Sequence, residues 1–299
     1  MEKQKEEKSV HETNQYDDYA FPVGVYRVTK ESIVPAGRGY QDLHWHEELQ
    51  LTMAISGTLT IQVNGIDYCL KQGEVIFINR NLLHITTQLD DGGRYVSLNF
   101  PEKILSFFSG SRMEQQFVLP YTNNAAFSAY VLNGSGEWQC EIISRLQKAL
   151  GLIQEKDKPA WEYLLSMELT EIWYLLISHV KEQIKAPTKG FVRQQERIHR
   201  MLSFIHAEYQ NNIRLSDIAA SASVSPGECC RCFQNVVRMS PNQYLLNYRI
   251  NQSMELLNNS SLSITEVAFA CGFNDTSYFI QYFKKKNGLT PMEYRKSGI

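Results

Sequence analysis

Two groups of residues in this chain have types and spacings that could do chemistry. The first is His44-Trp45-His46-Glu47-Glu48-Leu49-Gln50, with His84 further on. Alternate side chains of an extended strand share a face, so His44, His46, Glu48 and Gln50 point one way. Leu49, Leu51 and Met53 then point the other way, and Trp45 faces away from His44. A polar, histidine-rich face opposite an apolar one reads as a pocket wall. The second group sits on two short helices near the C-terminus. Cys229 and Phe233 lie four apart, as do Phe279 and Phe283, so these residues point inward. The opposite faces carry Gly227, Cys230, Arg231 and Gln234, and Thr276, Ser277, Ile280, Gln281 and Lys284. Arginine can read guanine edges bidentately and glutamine adenine edges. Lys284, Lys285 and Lys286 end the second helix, where they suit phosphate contact or complement the helix dipole.

The bulk numbers agree with a split of roles. Of 299 residues, 191–299 hold 12 Lys and Arg against 8 Asp and Glu, a net of +4, while 1–190 carry a net of −6. A basic C-terminal third on an acidic remainder is the footprint of a domain that meets a polyanion. Six cysteines, three of them at Cys229, Cys230 and Cys232, form no spaced disulfide framework. Those three point in different directions around a helix and cannot grip one metal. The first fifteen residues lack the apolar core of a signal peptide. The most apolar run, 172–178, is too short to span a bilayer. We expect a cytoplasmic protein with no membrane partner.

The first group needs strands to position it. Leu49, Leu51, Met53 and Ile55 alternate, as do Leu59, Ile61 and Val63. Asn64-Gly65 is a strong hairpin signal, with Ile66, Tyr68 and Leu70 returning. Val75–Ile78 and 95–100 add strands, and the set predicts an antiparallel barrel or sandwich. Residues 101–136 read as irregular. Glu137–Gln154 is helical, and Pro159 opens a second amphipathic helix with Leu165, Leu169, Ile172 and Leu176. Two such helices cover a barrel and offer a surface for a second subunit. The divisions expected are a mobile arm at 1–18, an effector and dimerisation domain at 19–180, a linker at 181–193 and a helical domain at 194–299.

The second group is positioned by a repeat. Phe233, Ser240-Pro241 and Tyr244 recur as Phe283, Thr290-Pro291 and Tyr294, an offset of 50. Ser216-Asp217-Ile218-Ala219 recurs as Thr265-Glu266-Val267-Ala268, an offset of 49. Ser225, Ser263 and Thr290 each precede a glutamate by three residues and read as capping boxes. Gly272 fills the turn of the second unit, and Ser223 the same place in the first. Between the units Pro241–Asn259 is a helix of nearly 30 Å at about 1.5 Å per residue.

These motifs carry two resemblances. The double unit over roughly 194–296, with its SPNQYL and TPMEYR closures, resembles the DNA-binding domain of AraC-family transcription regulators. The N-terminal part resembles the cupin family. His44, His46, Gln50 and Gly57 stand at the places of its first motif, and Gly73 and His84 at those of its second. Gln50 replaces the carboxylate, while Asn79 and Asn81 replace the motif's proline and glycine. Three imidazoles and an amide oxygen suit a divalent transition metal, but the site lacks its anionic ligand. We therefore expect an effector pocket at His44, His46, Glu48, Gln50 and His84, with no resident metal, no cofactor and no catalysis. The other readings are structural histidines, a cupin-type metal-binding or enzymatic domain fused to a DNA-binding module, and a ligand-independent regulator controlled by partners. The resemblance implies an α+β chain in which a cupin-like barrel precedes two helix-turn-helix units. It further implies a ligand-responsive regulator, most often an activator, with a small-molecule effector such as a sugar. Its partners are double-stranded DNA, a second copy of the chain and RNA polymerase. Arg231 and Gln281 take the places of base-contacting residues, with Gly227, Thr276 and Ser277 alongside.

Overall fold

The computed structural model describes residues 11, 12, 14, 16–124, 126–156, 158–181 and 189–297. The chain divides into two compact units between Arg193 and Gln194. The first carries β1 (Gly24–Val28), β2 (Ile33–Val34), β3 (Leu49–Ser56), β4 (Leu59–Val63), β5 (Ile66–Leu70), β6 (Val75–Ile78), β7 (His84–Leu89), β8 (Arg94–Phe100) and β9 (Ala129–Leu132). The expected closed barrel is not formed. One antiparallel sheet has the order β2-β1-β8-β3-β6-β9 and a second has β5-β4-β7. β3 and β4 are consecutive, but the turn at Gly57 sends them into different sheets. Among the described residues, isolated bridges such as His44 with His84 stitch the sheets together only locally.

The two-layer arrangement follows from which faces are apolar. Ala54, Ile76, Ile78 and Tyr95 of the larger sheet pack on Leu59, Ile61, Val63 and Leu70 of the smaller. Leu49, Leu51, Met53, Phe77 and Leu98 on the opposite face pack under two helices. Both faces of the central strands β8, β3 and β6 are therefore largely buried, and β6 reads as a continuous apolar run rather than an alternation. Asn64 and Gly65 both take positive φ, 48° and 79°, as the expected two-residue hairpin turn requires.

Residues 101–136 are more ordered than expected. They hold α1 (Lys103–Ser106), a π-helical turn at Glu114–Val118, α2 (Leu119–Thr122) and β9, which pairs with β6. α3 (Glu137–Gln154) and α4 (Trp161–Val180) bury Ile142, Leu146, Leu165, Leu169 and Ile172 against the sheet. α4 also leaves Tyr163 (76% exposed), Met167 (60%) and Tyr174 (59%) on one outward stripe.

The expected arm at 1–18 is described only in part. Residues 1–10, 13 and 15 lie outside the described residues, but the rest of the segment is docked. His11 stacks on Trp45 at 4.1 Å, and the Glu12 amide donates to the Trp45 carbonyl at 2.9 Å. The expected linker at 181–193 is likewise described only in part. Residues 182–188 lie outside the described residues, and α5 (Lys189–Glu208) begins before 193.

The second unit continues with α6 (Leu215–Ser221), α7 (Pro226–Val236), α8 (Pro241–Asn259), α9 (Ile264–Ala270), α10 (Thr276–Asn287) and α11 (Pro291–Ser297). α6–α7 and α9–α10 are the two helix-turn-helix units, and α8 joins them. Phe279 and Phe283 are fully buried with Val267, Ala268 and Ile250, and this core fixes α10 against α8 and α9. Truncating one such phenylalanine costs about 3–5 kcal/mol, far more than any surface contact of the same helix. Tyr282 Oη donates to Asn247 Oδ1 at 3.1 Å and adds a polar tie to α8. Among the described residues no helix is long and apolar enough to cross a membrane.

Candidate pocket and nucleic-acid interface

His44, His46 and His84 come together at the end of the two sheets. One ring nitrogen of each lies within 4.8 Å of the others, and all three rings are buried. His44 Nδ1 is 2.7 Å from the Asp42 carbonyl and His84 Nδ1 is 2.8 Å from the Leu82 carbonyl. A carbonyl only accepts, so both Nδ1 atoms carry the proton and both Nε2 atoms present a lone pair. His84 Nε2 is buried with no hydrogen-bond partner. His46 faces acceptors at both nitrogens, the Glu48 carbonyl at 3.1 Å and Gln50 Oε1 at 2.9 Å. A neutral ring satisfies only one of them. Gln50 Nε2 donates to Thr52 Oγ1 at 2.7 Å, which fixes the amide on the other side.

Burial sets the electrostatics. Loss of solvent, then the neighbouring His84 and His46, holds His44 well below the usual imidazole range. Burial, then His46, lowers His84 to about 3. All three rings are therefore neutral at pH 7, the form that binds metal. Glu12, a residue that strand reasoning missed, supplies the carboxyl group that Gln50 lacks. Its Oε2 is 3.4 Å from His44 Nε2, and its Oε1 accepts from the Arg38 amide at 2.7 Å. Burial raises Glu12 to about 7 against the pull of Arg38. Glu12 and His44 are thus a near-neutral pair at neutral pH, not an ion pair. No signal near the histidines could have found Glu12, which reaches them from a polar segment more than 30 residues upstream.

Glu48 behaves differently from its expected neighbours. Its carboxylate accepts from Asn14 Nδ2 at 2.7 Å and from the Tyr16 hydroxyl, so it anchors the N-terminal segment. The cavity is lined by Glu12, His44, Gln50, His84, Ser97 and Asn99 among others, and its volume is about 20 Å³. A cavity needs about 10–15 Å³ to hold one water, so this one has room for an ion or a water but not for a sugar ring. Asn81 takes φ +58°, the left-handed conformation a glycine would otherwise supply, and its amide donates to the His46 carbonyl at 2.8 Å. Asn79 Nδ2 donates to the Phe127 carbonyl at 2.9 Å and pins the loop before β9. The two asparagines therefore do positioning work in place of the absent proline and glycine.

In the second unit α7 and α10 present the other group. Arg231 and Gln281 occupy matched positions fifty residues apart and both are exposed. Gly227, Gln234, Ser277, Lys284 and Lys285 are exposed with them, and Cys230 and Thr276 are half-buried. Cys229 and Cys232 are buried, and all described cysteines are free. Residues 218–297 match the model of a helix-turn-helix domain and 31–93 that of a cupin domain. Over 292 residues the chain is 30% identical to the uncharacterized HTH-type transcriptional regulator YdeC of Bacillus subtilis strain 168, covering 97% of both proteins. The chain belongs to the AraC family of transcription regulators.

Two more distant relatives are the melibiose operon regulatory protein of Escherichia coli K12 and the transcriptional activator RhaS of Yersinia pestis. The first is 22% identical over 85% of this chain and 83% of that protein. The second is 22% identical over 96% and 98%. As an AraC-family regulator the chain binds DNA through its helix-turn-helix domain. The turns of its two units differ. Gly272 takes φ +81°, and a Cβ there would stand 2.4 Å from the Tyr209 carbonyl oxygen. Ser223 takes φ +54° in the same place, and Arg238 φ +59° where the second unit has Gly288. The caps differ too. Ser263 with Glu266 and Thr290 with Glu293 form reciprocal capping boxes. Ser225 accepts from the Glu228 amide, but the expected return bond is missing because the Glu228 carboxylate pairs with Arg231 and Arg197. Of the lysine run, Lys286 turns back to α8 and donates to Asn251 Oδ1 at 2.7 Å. Lys284 and Lys285 stay on the outer face.

Proposed function

We propose that this AraC-family protein is an effector-responsive, sequence-specific transcription activator that works as a homodimer and engages RNA polymerase from its operator. The observation that carries the DNA reading is the matched pair Arg231 and Gln281, exposed at equivalent places of the two repeated units. Arg231, Gln234, Thr276, Ser277 and Gln281 read bases, while Lys284 and Lys285 hold phosphates. Gly227 and Cys230 flank the first reader, and Gly227 leaves room for close backbone approach. The relative named as an activator supports the sign of regulation, and the outward stripe on α4 supports dimerisation. Selection of bound sequences from random DNA by the full chain tests the reading. Recovery of one motif with two half-sites supports it, and recovery of unselected DNA sinks it.

A second reading concerns the occupant of the histidine site. The orphaned His84 Nε2, the two defined lone pairs and the 20 Å³ cavity fit a divalent transition metal better than an organic effector. His44, His46 and His84 would hold it, with Gln50 and Glu12 as neighbouring oxygens. A metal there would supply fixed positive charge that ties the docked N-terminal segment to the sheets. Elemental analysis of protein purified without chelator should give about one metal per chain, lost in His84→Gln. Metal-free protein that takes up neither cobalt nor zinc would remove this reading.

A further inference from the structure

A larger cavity lies elsewhere in the first unit, where the C-terminal half of α3 overhangs the sheet. Its volume is about 690 Å³, within the range of small-molecule sites. Its floor is a row of directly opposed residues across four strands. Val34 pairs with Arg27, Arg27 with Val96, and Val96 with Met53. Met53 and Val96 are buried, and Val34 and Ile55 add exposed apolar rim. α3 contributes Gln147, Leu150, Gly151 and Gln154, the stripe of one helical face.

The charge of this cavity is one-sided. Arg94 lies two residues from Val96 on β8, so it shares the face of Arg27 and is its diagonal neighbour. Both arginines are exposed, and among the described residues neither forms an ion pair. Among the described residues the Arg27 guanidinium has no hydrogen-bond partner either, and that of Arg94 has only a 3.4 Å contact to Ser56 Oγ. No Asp or Glu lines the cavity among the described residues. Like charges on neighbouring strands are destabilising unless an anion sits between them. The C-terminus of α3 offers about half a negative charge, a fraction of the two positive charges present.

We propose that this cavity binds an amphipathic carboxylate, its head held by Arg27 and Arg94 and its apolar body laid on Val96, Met53 and Leu150. A guanidinium matches a carboxylate bidentately, and the apolar floor accounts for the rest of the volume. This cavity has the room for an organic effector that the histidine site lacks. The inference rests on the geometry of the first unit and stands whether or not the DNA reading holds.

The test is calorimetric titration of the full chain with decanoate below its micelle concentration, with decanol as the neutral control. Decanoate should bind one per chain, at least tenfold tighter than decanol. Arg27→Gln and Arg94→Gln should each weaken it about tenfold. Gly151→Leu should abolish it, because a side chain at Gly151 meets nothing within 4 Å and enters open space on the cavity stripe. Leucine also favours the helix over glycine, so unchanged circular dichroism separates a blocked site from a misfolded one. Equal affinity for decanol, or decanoate binding undiminished in Gly151→Leu, overturns the proposal. So does no decanoate binding by the folded protein. Loss of dimerisation in Gly151→Leu, with no decanoate binding to the parent chain, would make the cavity a seat for a second copy and overturn it too.

Discussion

The histidine cluster was legible residue by residue because its chemistry is local. His44, His46 and Gln50 lie within seven positions, and strand alternation alone puts them on one side. The same rule put Glu48 with them: its carboxylate stands 3.4 Å from His46 Nδ1 while it accepts from Asn14 and Tyr16. Glu12 was illegible because nothing in a polar leader segment announces a buried carboxyl group. On the DNA side the proposed readers are exposed side chains on two helices, so their loss should remove contacts without harming the fold. Arg231→Ala and Gln281→Ala should each cost about 1–3 kcal/mol in operator binding and relax preference at one base pair. Binding titrations against single-base variants of the selected operator check this. A uniform loss across all sequences would mean that these residues touch only phosphate.

At the scale of elements, periodicity served where one face of an element is apolar. β3–β6, α3 and α6–α11 were all marked by spacing, capping or repeat. β1, β2, β7 and β9 were not, since short or irregularly patterned strands depend on partners for their identity. β9, for example, exists because its backbone pairs with β6. The choice between a closed barrel and two sheets was left open for a similar reason: alternation reports which side is buried, not which strand lies alongside. The repeat made Gly272 visible as a turn, and the structure adds the reason that glycine is needed. Its positive φ alone costs another residue about 1–3 kcal/mol, and the Tyr209 carbonyl leaves no room for a Cβ. Gly272→Ala should therefore lower the stability of the second unit by more than that, read as a shift in denaturant midpoint. Gly227→Ala, in open space, should leave stability unchanged or raise it by up to about 1 kcal/mol. Equal effects of the two would refute the account of the turn.

The chain as a whole divides its labour by charge and by exposed apolar surface. The acidic part carries the histidine site, the larger cavity and the stripe Tyr163, Met167 and Tyr174, whereas the basic part carries the proposed readers. A charged residue in the middle of that stripe would have to be desolvated in a dimer. Met167→Glu should shift the chain to monomer in sedimentation velocity and leave its folding intact, since Met167 is exposed. An unchanged dimer would place the interface elsewhere. That two units exist could be read from the shift between strand-like and helical patterns. What each unit holds depended on volumes, and no sequence pattern reports volume.

The pairing of Arg231 with Glu228 bears on how the protein searches a genome. The acid sits three residues away on the same helix and also touches Arg197. At a wrong site, Arg231 can remain with Glu228, and the carboxylate repels the phosphates around it. An exposed pair of this kind is worth only about 0.2–1 kcal/mol, whereas a bidentate contact to a correct base is worth about 1–3. The right guanine wins that contest and a mismatched base does not. On the proposed reading of Arg231, Glu228 is a competitor carried within the same helix, and it would keep residence on random DNA short. Glu228→Gln should tighten binding to random duplex more than binding to the operator, narrowing the ratio between them.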